Sequence, residues 1–305
     1  MTRRVRIGTR GSQLALWQAN ETSRKLAGAG FDPEIVTIRT TGDKRQDVPL
    51  AAVGGKGLFI KELEEALERG SVDIAVHSLK DVPSIIPPQF TLAGFLERAD
   101  PRDAWVHPER LPIKDVPAGA TVGTSAPRRR AQLIEKFPHL KVESIRGNVE
   151  TRINKARSGQ FAGIILASAG LTRLGLAAEI TSYFSVDDMI PAAGQGIVAI
   201  ETLANNALGR EAAAAINVKA SELAALSERG VLQRFGERLD CYSAVAVHTT
   251  SENNGLTIRA FAADYDGKRT VRVRRSGRDP QEVIGAVYDE LIANGAMELL
   301  CATTR

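Results

Sequence analysis

Residues 121–175 read TVGTSAPRRRAQLIEKFPHLKVESIRGNVETRINKARSGQFAGIILASAGLTRLG, and this stretch decides the fold. Short apolar runs at 121–123, 142–145 and 163–167 predict strands, and each is followed by an amphipathic segment that predicts a helix. The predicted helices span 127–137, 149–158 and 168–175. Strands that alternate with helices form parallel sheets covered by helices, so this stretch predicts an α/β domain.

The N-terminal third of the chain shows the same alternation. Ser12 is predicted to cap a helix that ends near Gly28, because its hydroxyl can accept a bond from a free backbone N–H. Predicted strands lie at 5–8, 35–39 and 72–76, and a predicted helix at 58–69 follows the glycine-rich loop 54–57. These elements indicate a second α/β domain.

Two segments are predicted to connect these α/β halves: the charged, Pro-broken stretch 97–103 and the small, flexible stretch 191–196. A chain that leaves one α/β domain, builds another and returns is expected to place a ligand cleft between them, lined by strand carboxyl ends. The predicted domains are 1–98 with 197–217, 99–196, and 218–305.

The character of the chain changes after about residue 218. A long predicted helix at 220–235 leads to predicted strands at 244–248, 257–263 and 270–274, with Asp266-Gly267 as a hairpin turn. A further helix is predicted at 281–294. The overall fold class is therefore α/β, with two doubly wound domains followed by a small α+β domain that contains a three-stranded sheet.

The composition is that of an ordinary globular protein, with 305 residues, 43% hydrophobic residues and a net charge of +4. The N-terminal segment lacks the apolar core of a signal peptide, and no apolar run approaches the roughly 18–20 residues that span a bilayer. We therefore expect a cytoplasmic protein. Cys241 and Cys301 form no disulfide framework and no metal-ligand spacing surrounds them. Taken alone, Cys241 is typical of a buried packing residue.

Arginines cluster where predicted strands give way to predicted helices. The two main motifs are Gly123–Arg129 and Arg146–Arg152. A helix N-terminus presents free N–H groups and a partial positive charge, so added arginines predict a site for carboxylates or phosphates. The adjacent Arg128 and Arg129 point about 100° apart, which predicts that both reach a wide cleft but not one small anion. The other arginines in comparable positions are Arg10 and Arg173.

Nucleic-acid binding is the main alternative for such an arginine cluster. The aromatic content is only 5%, and the arginines are predicted in turns rather than along one exposed helical face. Both observations weigh against it.

The motif His77–Pro83 places Lys80 and Asp81 directly after a predicted buried strand, where working residues of open α/β sheets usually lie. A fixed Asp81 carboxylate could stabilise a developing cation or move a proton to and from nitrogen. A surface ion pair before a turn ended by proline remains the alternative. Lys56 lies in a glycine-rich loop but without the residue order of a nucleotide P-loop.

Taken together, the motifs resemble the porphobilinogen deaminase (hydroxymethylbilane synthase) family over nearly the whole chain. His-Ser-x-Lys-Asp-Val-Pro and Arg-Gly-Asn-Val-x-Thr-Arg are the most specific. The resembling segments are 7–18, 54–62, 77–83, 100–104, 123–129, 146–152, 169–176 and 191–196.

The resemblance implies an enzyme that joins four porphobilinogen molecules head to tail into a linear tetrapyrrole and releases ammonia. It implies a dipyrromethane cofactor held by a thioether to Cys241, and a monomer. That the protein has no nucleic-acid or membrane partner is expected from the composition and the apolar pattern described above. Asp81 maps to the residue that assists ammonia loss and stabilises the resulting cationic azafulvene. Since every pyrrole carries an acetate and a propionate, a chain of six pyrroles brings about twelve carboxylates to one site, which explains the arginines.

The resemblance also assigns the remaining site residues. Cofactor binding falls to Ser78, Lys80, Thr124, Arg128 and Arg129. Substrate and chain binding falls to Arg10, Ser12, Lys56, Arg146, Arg152 and Arg173.

Two stretches depart from the family pattern. The family has Gly-Gly before the cofactor cysteine and Pro two residues after it, whereas this chain has Leu239-Asp240 and Ser243. In the cofactor-binding motif, Ala126 and Pro127 stand where the family has Ser and Leu. Neither departure removes a charged residue.

A second class of function shares the same predicted fold: a non-catalytic protein of the periplasmic-binding-protein type that binds an anionic ligand. It predicts no covalent group on Cys241 and no chemical role for Asp81. The predicted third domain and the cysteine within it favour the enzyme.

Overall fold

A computed structural model of the chain describes residues 3–39, 60–239, 242–252, 255–264 and 266–301. Its strands are β1 (Arg3–Arg10), β2 (Phe31–Ile38), β3 (Ile74–Ser78), β4 (Phe90–Phe95), β5 (Asp103–Val106), β6 (Thr121–Gly123), β7 (Lys141–Glu143), β8 (Gly163–Ala167), β9 (Ser182–Tyr183), β10 (Val198–Leu203), β11 (Ala244–Glu252), β12 (Gly255–Ala263) and β13 (Thr270–Gly277). Its α-helices are α1 (Gln13–Gly28), α2 (Lys61–Glu68), α3 (Pro127–Lys136), α4 (Val149–Arg157), α5 (Ser168–Arg173), α6 (Ala207–Ala215), α7 (Lys219–Arg234), α8 (Pro280–Ala293) and α9 (Ala296–Cys301).

The chain divides into two compact units. The first comprises Met1–Ala99 and Gly196–Leu226, and the second comprises Asp100–Gln195 and Ser227–Arg305. The division into three domains that the sequence suggests, and the cleft between two of them, stay predictions. Among the described residues, no helix combines the length and the apolar character that crossing a membrane requires.

The first unit contains a five-stranded sheet with the order β2-β1-β3-β10-β4. β1 is parallel to both β2 and β3, whereas β10 is antiparallel to both β3 and β4. On one face, α1 and α6 pack against buried Val5, Ile7 and Ile74. On the other face, Leu63 and Leu67 of α2 are buried. Helices therefore cover both faces, as the α/β prediction requires.

The second unit contains a five-stranded sheet with the order β7-β6-β8-β5-β9. β6 is parallel to β7 and β8, whereas β5 is antiparallel to β8 and β9. The predicted parallel pairing is confirmed for β1 with β2 and β3 and for β6 with β7 and β8, but each sheet also contains one antiparallel strand that was not predicted. The physical reason is that β5 and β10 each begin just after a connecting segment and enter their sheet from the opposite end.

The second unit also contains the predicted three-stranded sheet, with the order β11-β12-β13 and antiparallel pairing throughout. Gly267, in the connection between β12 and β13, has a φ of 68°, which confirms the turn there. One face of the sheet packs on α8 and α9 through an apolar core, and Phe261 on the other face packs with Ala131 of α3.

Most predicted elements lie within a few residues of the observed ones, but β2 starts at Phe31 instead of Ile35. Pro33 obscures this start in the sequence, yet an edge strand tolerates a proline, since its missing N–H can face away from the sheet. The sequence analysis also missed β4, β5, β9 and β10. Except for the two-residue β9, these strands follow Pro-, Gly- or charge-rich stretches that are typical of loops.

A buried histidine and glutamate lie inside the first sheet. His77 on β3 and Glu201 on β10 are 6% and 0% exposed, and His77 Nε2 lies 2.9 Å from Glu201 Oε2. Glu64 of α2 is a half-buried neighbour. Burial, followed by the negative charge of Glu201, raises the pKa of Glu64 from 4.5 to about 7.

We expect Asp279→Ala to destabilise the protein by about 1 kcal/mol, because Asp279 caps α8 by accepting bonds from Gln281 N (2.7 Å) and Glu282 N (3.0 Å). The free energy of urea-induced unfolding measures this loss. Asp289→Ala, an exposed change within the same helix, is the matched control and should alter that free energy by less than about 0.5 kcal/mol. Equal losses in the two variants would contradict the capping role.

We expect Glu64 to make stability depend on pH. Since its pKa is raised on folding, its contribution is fully present below about 4.5 and is lost as the pH rises through about 7. Glu64→Gln should therefore reduce the fall in Tm across this range by on the order of 2 °C. Glu65→Gln on the same helix should leave that fall unchanged, and a Glu64→Gln protein with the parental pH profile would refute the assignment.

Candidate active site

In the first unit, two candidate segments lie at the same edge of the sheet. β1 and β3 are parallel neighbours, with Ile7 opposite Ile74 and Gly8 opposite Ala75. Their carboxyl ends therefore lie side by side, and β1 ends with Arg10. The segment that follows β3 carries the predicted Lys80 and Asp81. The structure thus brings Arg10 and the Lys80-Asp81 pair to one edge.

A short 3₁₀ helix, Leu79–Asp81, presents these two charged side chains. Leu79 is 1% exposed and its N–H donates to the carbonyl oxygen of Ile197 at 3.0 Å, while Val82 is 6% exposed. Lys80 and Asp81 are exposed between these two buried anchors. The two buried residues therefore fix the backbone that carries Asp81, while its carboxylate remains accessible to solvent.

Helix α1 holds the same edge through side-chain hydrogen bonds. Ser12 caps the helix by accepting from the N–H of Ala15 at 3.3 Å, which confirms its predicted capping role. Gln18 is 2% exposed and donates from Nε2 to Ser78 Oγ at 2.7 Å. The Thr9 hydroxyl donates to the carbonyl oxygen of Ala15 at 3.1 Å. Ser78 is thus fixed by a helix that the sequence analysis did not connect with it.

The tetrapeptide Lys-Asp-Val-Pro occurs twice in the chain, at 80–83 and at 114–117. The second copy also forms a 3₁₀ helix, Ile113–Asp115, with a buried residue on either side of an exposed lysine and aspartate. It follows Pro112 rather than a strand. Local sequence and local structure are therefore shared, and the position at a strand end distinguishes Asp81 from Asp115.

In the second unit, Thr124 follows β6 and is 4% exposed. Its N–H donates to the carbonyl oxygen of Glu143 at 2.9 Å, and its Oγ1 accepts from the N–H of Ala126 at 3.3 Å. α3 then begins at Pro127 with no side-chain cap. Pro127 has no N–H, and the N–H groups of Arg129 and Arg130 donate to the carbonyl oxygen of Ala126 at 3.0 Å. What the start of α3 offers an anion is therefore mainly its partial positive charge.

Arg128 and Arg129 lie in the first turn of α3 and are only 5% and 6% exposed. Both guanidinium groups reach the carboxylate of Asp103, with Arg128 Nη1 2.6 Å from Oδ2 and Arg129 Nη2 2.7 Å from Oδ1. The prediction that they cannot meet on one small anion is therefore wrong. The two side chains leave the helix axis about 100° apart, but they are long enough to converge on Asp103 at the start of β5.

The charges in this cluster strongly affect the pKa values of Asp103 and Arg129. Burial acts to raise the pKa of the Asp103 carboxyl, but the charges of Arg128 and Arg129 and their hydrogen bonds outweigh it, so that the pKa lies below its usual range. Burial lowers the pKa of Arg129, and Asp103 partly offsets this effect. With two guanidinium groups and one carboxylate, the cluster carries a net charge of one positive unit.

The motif around Arg146 forms a tight turn between β7 and α4. Gly147 has a φ of 115°, and a Cβ there would lie 2.6 Å from Thr151 Cγ2, so only glycine fits. Asn148 caps α4 by accepting from the N–H of Thr151 at 2.8 Å, and Arg152 Nε donates to the carbonyl oxygen of Gly147 at 2.8 Å. The half-buried Arg146 and Arg152 therefore flank a rigid turn.

The parallel strands β7, β6 and β8 determine which candidate residues lie at the same edge of the second sheet. Thr121 lies opposite Lys141, and Val122 lies opposite Gly163, so the three carboxyl ends share one edge of the second sheet. Thr124 and the Arg146 turn follow two of these ends directly. Arg173 is half-buried but lies at the last position of α5, away from the end of β8.

Two predicted site residues, Lys56 and Cys241, lie outside the described residues. The sequence analysis missed three others that the structure makes prominent: Gln18, Asp103 and Gln195. Asp103 and Gln195 appeared in connecting segments and in segments that resemble the family, but without an assigned role. Their side chains meet 92 positions apart, and no local pattern signals such a contact.

Comparison with known proteins identifies the family. The model of the family described as "Porphobilinogen deaminase, dipyromethane cofactor binding domain" matches residues 5–211. A porphobilinogen deaminase of Trichlorobacter lovleyi is 45% identical over 302 residues, covering 98% of this chain and 96% of its own. The one from Geobacter sulfurreducens is 44% identical over 301 residues, covering 97% and 94%.

Among solved structures, the methionine-binding protein MetQ is a distant neighbour, with a TM-score of 0.46 and 12% identity over 72% of this chain and 92% of its own. This likeness is too remote to bear on function. The family match and the near-complete coverage of the relatives are sufficient by themselves, and the chain belongs to the porphobilinogen deaminase family.

Proposed function

We propose that this protein joins four porphobilinogen molecules head to tail into the linear tetrapyrrole hydroxymethylbilane and releases ammonia at each step. Membership of the porphobilinogen deaminase family supports the reaction. The observation that carries the chemistry is Asp81, an exposed carboxylate on a rigid turn at the carboxyl end of β3, with Arg10 at the neighbouring strand end.

Asp81 is suited to the proton transfers of this reaction. When the aminomethyl C–N bond of the substrate breaks, the nitrogen needs a proton to leave as ammonia, and a cation remains on the pyrrole methylene. A nearby carboxylate stabilises that cation. After the new C–C bond forms, the attacked pyrrole carbon loses a proton, which Asp81 can accept. The aminomethyl group is an ammonium near neutral pH and supplies that proton itself, so Asp81 stays a carboxylate while ammonia leaves. The proton that Asp81 later accepts from the pyrrole carbon passes to solvent, which returns Asp81 to its starting state.

The residues of the second unit fit the dipyrromethane cofactor of the family. The cluster at the start of α3 has a net positive charge, and the helix there has no side-chain cap, so carboxylates are favoured. When bound, the dipyrromethane supplies the pyrrole on which the chain is extended. We propose attachment through Cys241, with carboxylate binding by Ser78, Lys80, Thr124, Arg128 and Arg129.

We propose that the remaining cationic residues bind the carboxylates of the substrate and of the growing chain. Arg152 supports this, because its Nε donates to the carbonyl oxygen of Gly147 and a guanidinium that is already held loses less entropy when it binds. The proposed residues are Arg10, Ser12, Lys56, Arg146, Arg152 and Arg173. A cytoplasmic location and a monomeric state stay predictions.

We expect Asp81→Asn to lower kcat by at least about a hundredfold, because it removes the group that transfers protons and stabilises the cation. The rate of hydroxymethylbilane formation measures this loss. Asp115→Asn is the matched control, since it makes the same change in the second Lys-Asp-Val-Pro turn, and it should keep the parental rate. Near-parental turnover by Asp81→Asn, or an equal loss in both variants, would sink the catalytic assignment.

Intact-mass spectrometry of apo-protein incubated with porphobilinogen tests the function and the attachment together. We expect the parent to gain the mass of a covalent dipyrromethane and Cys241→Ala to gain none, because the thioether needs the thiolate. Cys301→Ala retains Cys241 and should load like the parent. A loaded Cys241→Ala protein refutes the attachment site, and a parent that binds porphobilinogen without covalent change favours the non-catalytic alternative.

A further inference from the structure

One buried carboxylate organises the arginine pair of the second unit. Asp103 is 0% exposed and accepts hydrogen bonds from Arg128, Arg129 and Gln195. The N···O distances include 2.6 Å from Arg128 Nη1, 2.7 Å from Arg129 Nη2 and 2.8 Å from Gln195 Nε2. Both arginines are assigned to the cofactor by resemblance, yet in this structure their closest anion belongs to the protein itself.

Most of the guanidinium donors are engaged within the second unit. Arg128 donates through Nη1 to Asp103 and to the carbonyl oxygen of Ile190, and through Nη2 to Asp103 and Gln195. Arg129 donates through Nε and Nη2 to Asp103 and through Nη1 to the carbonyl oxygen of Ile165. A guanidinium has five N–H groups, so only a minority remains for any external carboxylate, and their directions are fixed.

The start of a helix is an unfavourable place for two cations. The partial positive charge of the α3 N-terminus repels Arg128 and Arg129, and the two guanidinium groups repel each other. Asp103 offsets both repulsions without cancelling the charge of the pair. Net attraction for an anion therefore survives, while the two side chains are locked in one arrangement.

Gln195 fixes the orientation of this carboxylate. Its Nε2 donates to the carbonyl oxygen of Pro101 (2.7 Å) and to Asp103 Oδ1, while its Oε1 accepts from Arg128 Nη2 (3.0 Å). The position needs a donor and an acceptor on one planar group, which an amide supplies and a carboxylate cannot. Gln195 is 0% exposed, so solvent does not compete for these bonds.

We propose that Asp103, oriented by Gln195, is a positioning residue: it aims the remaining N–H groups of Arg128 and Arg129 at the carboxylates of the dipyrromethane. This inference rests on the proposed function, since it concerns how the apo-protein captures that group. It predicts that loss of Asp103 weakens capture even in molecules that are fully folded.

The test is the loading of Asp103→Asn apo-protein with porphobilinogen, followed by intact mass and performed well below the thermal midpoint of the variant. We expect the half-saturating porphobilinogen concentration to rise on the order of tenfold, the effect of losing a hydrogen bond to a charged group. The fraction finally loaded should match the parent. A merely structural role would instead lower that fraction and leave the half-saturating concentration unchanged.

Asp100→Asn is the matched control, because Asp100 lies in the same connecting segment and pairs with Arg102 at the surface (2.7 Å); it should load like the parent. If Asp103→Asn does not fold, Gln195→Met provides the test instead. We expect it to raise the half-saturating porphobilinogen concentration about threefold or more. Folded variants that load at the parental half-saturating concentration overturn this inference alone. A parent that gains no mass overturns the proposed attachment and this inference with it.

Discussion

The buried contact between Asp103 and the guanidinium groups of Arg128 and Arg129 is the constraint on which the second unit depends. It joins the first residue of β5 to the first turn of α3 and, through Gln195, to the segment that leaves the unit. In a medium of low dielectric constant, such a carboxylate cannot lose a partner without leaving an uncompensated charge. The arginine-bearing helix start and both connecting segments are therefore held in place together.

Each five-stranded sheet repeats the same arrangement around one antiparallel strand. In the first unit, β10 lies between β3 and β4; in the second, β5 lies between β8 and β9. The remaining neighbours that lead into candidate residues are parallel, so their carboxyl ends share an edge. Polar side chains from distant parts of the sequence are thereby gathered beside helix starts, where anions are favoured.

Position within the fold, rather than local sequence, singles out Asp81. The two Lys-Asp-Val-Pro copies form the same short helix with the same alternation of buried and exposed residues. Only the first copy follows a strand directly, beside the end of a parallel neighbour. Its turn is also tied down by Leu79, whose N–H bonds Ile197 near the start of β10. A tetrapeptide therefore becomes a candidate active site through its surroundings.

The sequence by itself determined the elements whose signals are local. The cap at Ser12 and the helix start at Pro127 follow from short-range geometry, and the family motifs pointed to Asp81. Only the tertiary structure decided the antiparallel strands β5 and β10, the bond from Gln18 to Ser78, and the convergence of two arginines on Asp103. These features join residues from 25 positions apart, for Asp103 and Arg128, to 126 positions apart, for Ala75 and Glu201. Such contacts depend on how far a side chain reaches and on the direction of each strand, and neither can be predicted from a local sequence pattern.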